Sequence, residues 1–183
     1  MKWGINVIVK LIVDQAIIHK DMPIDSVYAR RWINEGMTEL AIKYDSACVR
    51  ETEEMECTDV LDEYPLPTGA KAVRRVYRED KNEYHDFMID MGYIKFGNKG
   101  KYNVQYLRQP VNVKTESEEP EIHPDYHLLL SLFIASRELA RVNKIDPKAP
   151  QLLQEFYFKA DQVNNRLSNM KRGLKISRSV NWV

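Results

Sequence analysis

Gly92-Tyr93-Ile94-Lys95-Phe96-Gly97-Asn98-Lys99-Gly100-Lys101-Tyr102-Asn103-Val104-Gln105-Tyr106-Leu107 is the stretch that decides the fold class. Tyr102, Val104 and Tyr106 alternate with Asn103, Gln105 and Leu107, and a period of two argues for a half-buried strand. Gly97-Asn98-Lys99-Gly100 predicts a short hairpin turn between strand 93–96 and strand 102–107. Residues 72–78, with Val73 and Val76, and residues 86–90 are two more candidate strands. Pro65, Pro67 and Gly69 punctuate the chain ahead of them, and Pro110 closes the region. Residues 49–63 alternate loosely, with Val49, Met55, Cys57, Val60 and Leu61 set among acids. The expectation is a small antiparallel sheet within a β lobe over about 49–110.

Helical periods lie on both sides of this lobe. On the N-terminal side, Ile5, Ile8, Ile12, Ala16 and Ile17 share one face, widened by Val9 and Val13, and predict a helix over about 4–19. Its β-branched residues leave it dependent on tertiary packing, and a strand is the alternative. Lys10, Asp14 and Gln15 interrupt the apolar run, which argues against a signal peptide or a membrane span. Met22-Pro23-Ile24-Asp25 is a break, and Asp25 or Ser26 can cap a second helix over 25–47. Its stripe is Ala29, Ile33, Met37, Leu40, Ala41 and Tyr44, flanked by Trp32 and Val27.

Beyond the lobe, residues 111–121 are polar and acidic and read as a linker. Pro124 is placed to open a third helix over 124–144, with Tyr126, Leu129, Leu130, Phe133, Ile134 and Leu139 on its apolar face. Asp146-Pro147 breaks it, and Pro150 opens a fourth over 149–171. The stripe there is Leu153, Phe156, Ala160, Val163, Leu167 and Met170, and Gly173 ends it. The reading is an α+β fold, mainly α. It is an antiparallel helical bundle of about four helices with a small inserted antiparallel β-sheet, one domain over 1–173, and an extended C-terminal tail over 174–183.

Composition narrows the function. The 183 residues include 27 basic and 27 acidic ones, so the formal net charge is zero. General adhesion to nucleic acid or anionic membrane needs an excess of Lys and Arg. Two cysteines, Cys48 and Cys57, make no disulfide framework, although a turn could bring them together. Gly92, Gly97 and Gly100 do not form a phosphate loop, because Gly100-Lys101 is followed by Tyr102 and no helix begins there. His123 and His127 are four apart, but His123 precedes Pro124 and so sits outside the helix that carries His127. His19 and His85 have no recognisable catalytic partner. No catalytic motif is legible, and neither an enzyme nor a cofactor is expected.

Three phrases and their order carry a resemblance. The first is Ala29-Arg30-Arg31-Trp32-Ile33-Asn34-Glu35-Gly36-Met37. The second is Tyr64-Pro65-Leu66-Pro67 leading to Val73 and Val76. The third runs from Gly92-Tyr93-Ile94-Lys95-Phe96 through Tyr102 to Tyr106, Arg108 and Pro110, and on to Pro120-Glu121-Ile122-His123-Pro124-Asp125-Tyr126-His127. Over residues 25–145 the chain resembles the head-to-tail adaptor (connector, or head-completion) proteins of tailed bacteriophages. The resemblance implies a structural protein of the virion neck, made in the bacterial cytoplasm and without enzymatic activity. It implies a self-associated ring, usually a dodecamer, beneath the portal protein. Such a ring extends the channel through which double-stranded DNA passes and docks a tail or nozzle protein, with no membrane partner. Another neck or tail-completion protein is the nearest alternative; a nucleic-acid-binding regulator, for which residues 71–81 offer only Lys71, Arg74, Arg75, Arg78 and Lys81 around Glu79 and Asp80, and an unfamiliar enzyme are the others.

Charge is segregated along the chain in a way that suits two different neighbours. Residues 51–63 hold seven acids and no base, while residues 166–183 hold five bases and no acid. Glu51, Glu53, Glu54 and Glu56 are the candidate channel-facing residues, which would repel DNA phosphates. Lys171, Arg172, Lys175, Ile176, Arg178, Val180, Trp182 and Val183 are the candidate portal-binding residues. Trp182 and Val183 would serve as apolar anchors.

Overall fold

Residues 8–20, 23–79 and 82–176 are described in the structure, a computed structural model, with only the backbone described for 171–176. The chain is α+β, and among the described residues it has four α-helices and seven strands in two antiparallel sheets. It divides into two units, one helical and built from both ends of the chain, up to Ala47 and from Pro110 onward, and a β unit over Cys48–Gln109.

The helical unit contains α1 (Val9–Lys20), α2 (Ser26–Lys43), α3 (Leu130–Val142) and α4 (Lys148–Ile176). Asp25 caps α2 by accepting the Val27 N–H at 2.8 Å, so one orphan donor of the first turn is satisfied. The stripe read from sequence is buried in full: Ala29, Ile33, Met37, Leu40, Ala41 and Tyr44. Val27 falls outside it and is exposed. Helix α2 stops at Lys43, and Asp45–Ala47 form a separate 3-10 turn. Helix α1 starts at Val9, with Val9, Ile12 and Ala16 in the core. Ile5 lies outside the described residues.

Helix α3 packs against α1, α2 and α4. Leu130, Leu132, Phe133, Ile134 and Ala135 are buried on several sides of it, as its central place requires. Gly36 lets α2 approach closely: a Cβ there would sit 2.9 Å from Leu130 Cδ2 and 3.1 Å from Phe133 Cδ1. Pro124 does not open α3. It opens a 3-10 turn over Pro124–Tyr126, and α3 begins six residues later at Leu130. Helix α4 buries Ala149, Leu152, Phe156, Ala160 and Leu167, whereas Met170 is exposed. Gly173 does not end the helix. Residues 174–176 of the expected tail are helical, and the remainder, 177–183, lies outside the described residues.

The stretch read as a linker is held along the first two helices. Asn34 clamps Val113 twice, donating from Nδ2 to the carbonyl at 3.2 Å and accepting its N–H at 2.8 Å. The carbonyls of Glu118 and Glu116 accept the Val9 and Lys10 N–H groups at 3.0 Å, so this strap caps the start of α1. Val113 and Ile122 are buried beneath it.

The β unit differs from expectation in its pairing. One sheet has the order β1 (Val49–Cys57), β7 (Gly100–Arg108), β3 (Ala70–Arg78), β4 (Glu83–Tyr84). The other has the order β2 (Tyr64–Pro65), β6 (Tyr93–Phe96), β5 (Phe87–Asp90). Gly97-Asn98-Lys99-Gly100 is therefore not the turn of a paired hairpin but the passage from one sheet to the other. Phe96 and Tyr102 on either side of it stack at 4.2 Å, inside a core with Val76, Ile94 and Val104. The two-residue hairpin is β5–β6. Its turn residues Met91 and Gly92 have φ of 44° and 85°, the two positive values of a type I′ turn.

One carboxylate joins three helices. Glu138 on α3 is 1% exposed and faces Lys20 Nζ of α1 at 3.4 Å, itself 1% exposed. Trp32 of α2 donates to Glu138 Oε2 at 3.3 Å, and Arg141 binds both oxygens at 2.6 and 2.8 Å. The Arg141 hydrogen bonds hold the Glu138 pKa down at about 2. Because that value lies below the unfolded one, the stabilisation is full above roughly pH 4.5 and is lost as the pH falls toward 2. Glu138→Ala strands the Lys20 ammonium in the core and is expected to cost about 3–5 kcal/mol in urea unfolding at pH 7. The difference from the parent should shrink in titrations carried below pH 4.5. A second expectation concerns Gly36→Ala, which overfills the contact with α3 and should cost about 1–3 kcal/mol in the same measurement.

Candidate functional site

The acidic segment folds as strand β1, and this placement sorts its glutamates. Side chains alternate across a strand, so Glu51 and Glu53 take one face of the sheet, and Glu54 and Glu56 the other. The four candidate channel residues therefore do not share a surface. Glu51 is half-buried and engaged, accepting from Tyr106 OH at 3.0 Å and from Arg108 at 2.7 Å. Burial, and then the bond to Glu51, pushes the Tyr106 phenol above its ordinary pKa. Glu53, Glu54 and Glu56 are exposed. Glu56 stands opposite Lys101 in the β1–β7 register, and Glu54 opposite Asn103. Among the described residues strand β1 pairs only with β7, so its other side is a sheet edge there. Charged side chains on such an edge discourage indiscriminate strand pairing.

The basic residues gather elsewhere in the same unit. Arg78 at the end of β3 and Lys99 and Lys101 near the start of β7 line a shallow cavity of ≈ 480 Å³, with Glu79 and Gly100. Arg78 lies over the Tyr84 ring at 5.2 Å. Tyr102 OH donates to the Asn98 carbonyl at 2.7 Å and Asn98 donates to Tyr84 at 3.2 Å, which fixes the neighbouring turn. Three cations against the one carboxylate of Glu79 give the cavity a positive balance. The sequence shows its lysines but not their meeting with Arg78, because the sheet order brings together the ends of β3 and β7.

Of the candidate portal-binding residues, Lys171, Arg172, Lys175 and Ile176 fall on the helical backbone of α4. Arg178, Val180, Trp182 and Val183 lie outside the described residues.

His127, His123 and Cys48 sit in structural surroundings. His127 is buried and its Nε2 lies 3.0 Å from the Ile122 carbonyl, with Nδ1 3.9 Å from Glu119. Burial lowers its pKa. His123 caps the 3-10 turn by accepting the Asp125 N–H at 3.3 Å. Among the described residues, no group of three or more His, Cys, Asp or Glu is placed to hold a metal ion. No turn brings the cysteines together: Cys48 precedes β1 and Cys57 ends it, so the extended strand holds them about 30 Å apart. Burial raises the Cys48 thiol, which faces Lys71 Nζ at 3.9 Å.

No protein-family model matches the chain, and no curated protein sequence matches it.

The two faces of β1 should respond differently to charge reversal. Glu51→Lys sets a cation against Arg108 and removes the acceptor of Tyr106, and is expected to cost about 1–2 kcal/mol. Glu54→Lys, on the exposed face, should change stability by less than about 0.5 kcal/mol. Equilibrium urea denaturation of the two variants measures both.

Proposed function

We propose that the chain is a structural virion protein, a head-to-tail adaptor that forms a ring under a portal and docks a tail or nozzle protein. The carrying observation is where the three sequence phrases fall. Residues 29–37 supply the buried Ala29, Ile33, Gly36 and Met37 of α2. Tyr64-Pro65 is strand β2, Tyr93–Phe96 is β6, and residues 120–127 lead through the 3-10 turn toward α3. Helix pairs on both sides of an inserted β unit support the same reading. In it, the four helices act as an antiparallel bundle and the chain beyond α4 is an extended tail.

A ring closes through heterologous contacts, so unlike surfaces of one subunit must complement each other. The acidic run of residues 51–63 and the basic run of residues 166–183 give one subunit unlike charges for unlike neighbours. Lys171, Arg172 and Lys175 meet the portal in this proposal. Glu54 and Glu56 face the DNA channel, because they share the exposed side of β1 while Glu51 is committed to Arg108. Double-stranded DNA passes without specific binding. The cavity of Arg78, Lys99 and Lys101 favours a second reading, a nucleic-acid-binding regulator. Firm retention on duplex DNA at physiological salt would favour the regulator, and loss of binding already at low salt the adaptor.

The deciding measurement is the mass of the protein alone and mixed with a purified portal. A closed ring of many copies on the portal is the expected result, and unchanged masses would discard the adaptor. Replacing Glu54 and Glu56 by Lys should leave the ring intact and slow DNA ejection or retain DNA in the channel. Unchanged packaging and ejection would remove these two residues from the lumen.

A further inference from the structure

Among the described residues, the β5–β6 hairpin has an open edge and an exposed apolar surface. Strand β5, among the described residues, pairs only with β6. The Gly97 N–H donates to the Asp86 carbonyl at 2.8 Å, next to the Phe87–Phe96 pair. In an antiparallel ladder this marks a pair that exchanges no bonds of its own, and such pairs alternate. Phe87 and Ile89 therefore direct their N–H and C=O groups away from β6, toward the edge. Met88 is 65% exposed, Ile89 44%, Met91 93% and Tyr93 43%, an apolar concentration on one small hairpin. Residues 82–94 carry Glu83, Asp86 and Asp90 and no Lys or Arg, and Lys95, opposite Met88, is paired with Glu63 at 2.7 Å.

Residues 177–183, Ser-Arg-Ser-Val-Asn-Trp-Val, have the complementary chemistry. Residues 166–183 hold five bases and no acid. Extended, Arg178, Val180 and Trp182 share one face. The outward face of β5 is Asp86, Met88 and Asp90. With Val180 set beside Met88, Arg178 meets an aspartate in either strand direction. The segment spans about 23 Å when extended, against about 14 Å for β5.

We propose that residues 177–183 of one copy add a strand to the β5 edge of a second copy. Main-chain bonds to Phe87 and Ile89 set the strand in place, and the Arg178–aspartate and Val180–Met88 contacts set its register. The contact rests on the ring reading and names one of its subunit-to-subunit joints. It assigns Arg178, Val180, Trp182 and Val183 to a neighbouring copy rather than to the portal.

The test titrates a fluorescein-labelled peptide of residues 174–183 into the full chain carrying Trp182→Asp, which weakens the chain's own tail as competitor. Saturable binding is expected, with NMR amide shifts centred on Phe87–Asp90. Ile89→Pro removes an edge donor without touching the β5–β6 ladder, since proline is tolerated on the open side of an edge strand. It should weaken binding at least tenfold. Met88→Asp, which changes only an exposed side chain, should also weaken it and keeps the test valid if the proline variant misfolds. Absence of saturable binding, equal binding of a scrambled peptide of the same composition, or shifts centred outside the hairpin would each overturn the proposal. If a ring still forms on the portal when the peptide fails to bind, this joint is discarded and the adaptor reading stands.

Discussion

The helical unit depends on a charge that water cannot reach. Moving a carboxylate such as Glu138 out of solvent costs several kcal/mol, so it persists only where donors surround it. Those donors come from three helices: Lys20 at the end of α1, Trp32 in α2, and Arg141 one turn along α3. Apolar packing brings helices together but does not fix their rotation and slide, because Leu and Ile contacts tolerate small shifts. A carboxylate with directed partners tolerates less. The apolar stripes of α1 and α2 therefore meet α3 in one arrangement, within reach of Gly36, whose missing side chain gives Leu130 and Phe133 their place.

The strap over residues 111–121 extends that logic. Asn34, in the middle of α2, satisfies both backbone groups of Val113. The carbonyls of Glu116 and Glu118 take up the first N–H groups of α1. Glu118 in turn accepts the Lys114 N–H at 2.8 Å, and that bond lowers its pKa. The carboxylates of Glu118 and Glu121, which look like part of a solvated linker in the sequence, thus fold the strap on itself, while its main chain holds it to the helices.

The sequence was most legible where one period governed burial. The α2 stripe from Ala29 to Tyr44 is core throughout, and Asp25 caps it as its residue type suggested. Legibility failed where the partner was remote. Nothing near Lys20 in the sequence points to its partner Glu138, which is 118 residues away. Gly97 and Gly100 advertised a hairpin that the fold uses as a crossing between sheets, while the real hairpin turn is hidden in Met91-Gly92. Strand β1 was obscured by its glutamates, because an edge strand with one exposed face can carry charge at most positions. The candidate site was legible as charge segregation and not as geometry, since only the strand's alternation tells Glu51 from Glu54.

The β unit also has a consequence for how the chain acquires its structure. It interrupts the helical unit between Ala47 and Pro110, so α2 and the strap that Asn34 clamps are separated by some sixty residues of chain. Closing a flexible loop of that size costs about 3–4 kcal/mol in chain entropy. Yet Val49 and Arg108, near the two ends of the insert, are paired neighbours in the β1–β7 ladder. Once that ladder forms, the two ends of the insert lie side by side, and the long loop becomes in effect a short one. The insert thereby works as an intramolecular clasp, which keeps the two chain segments of a discontinuous core close together.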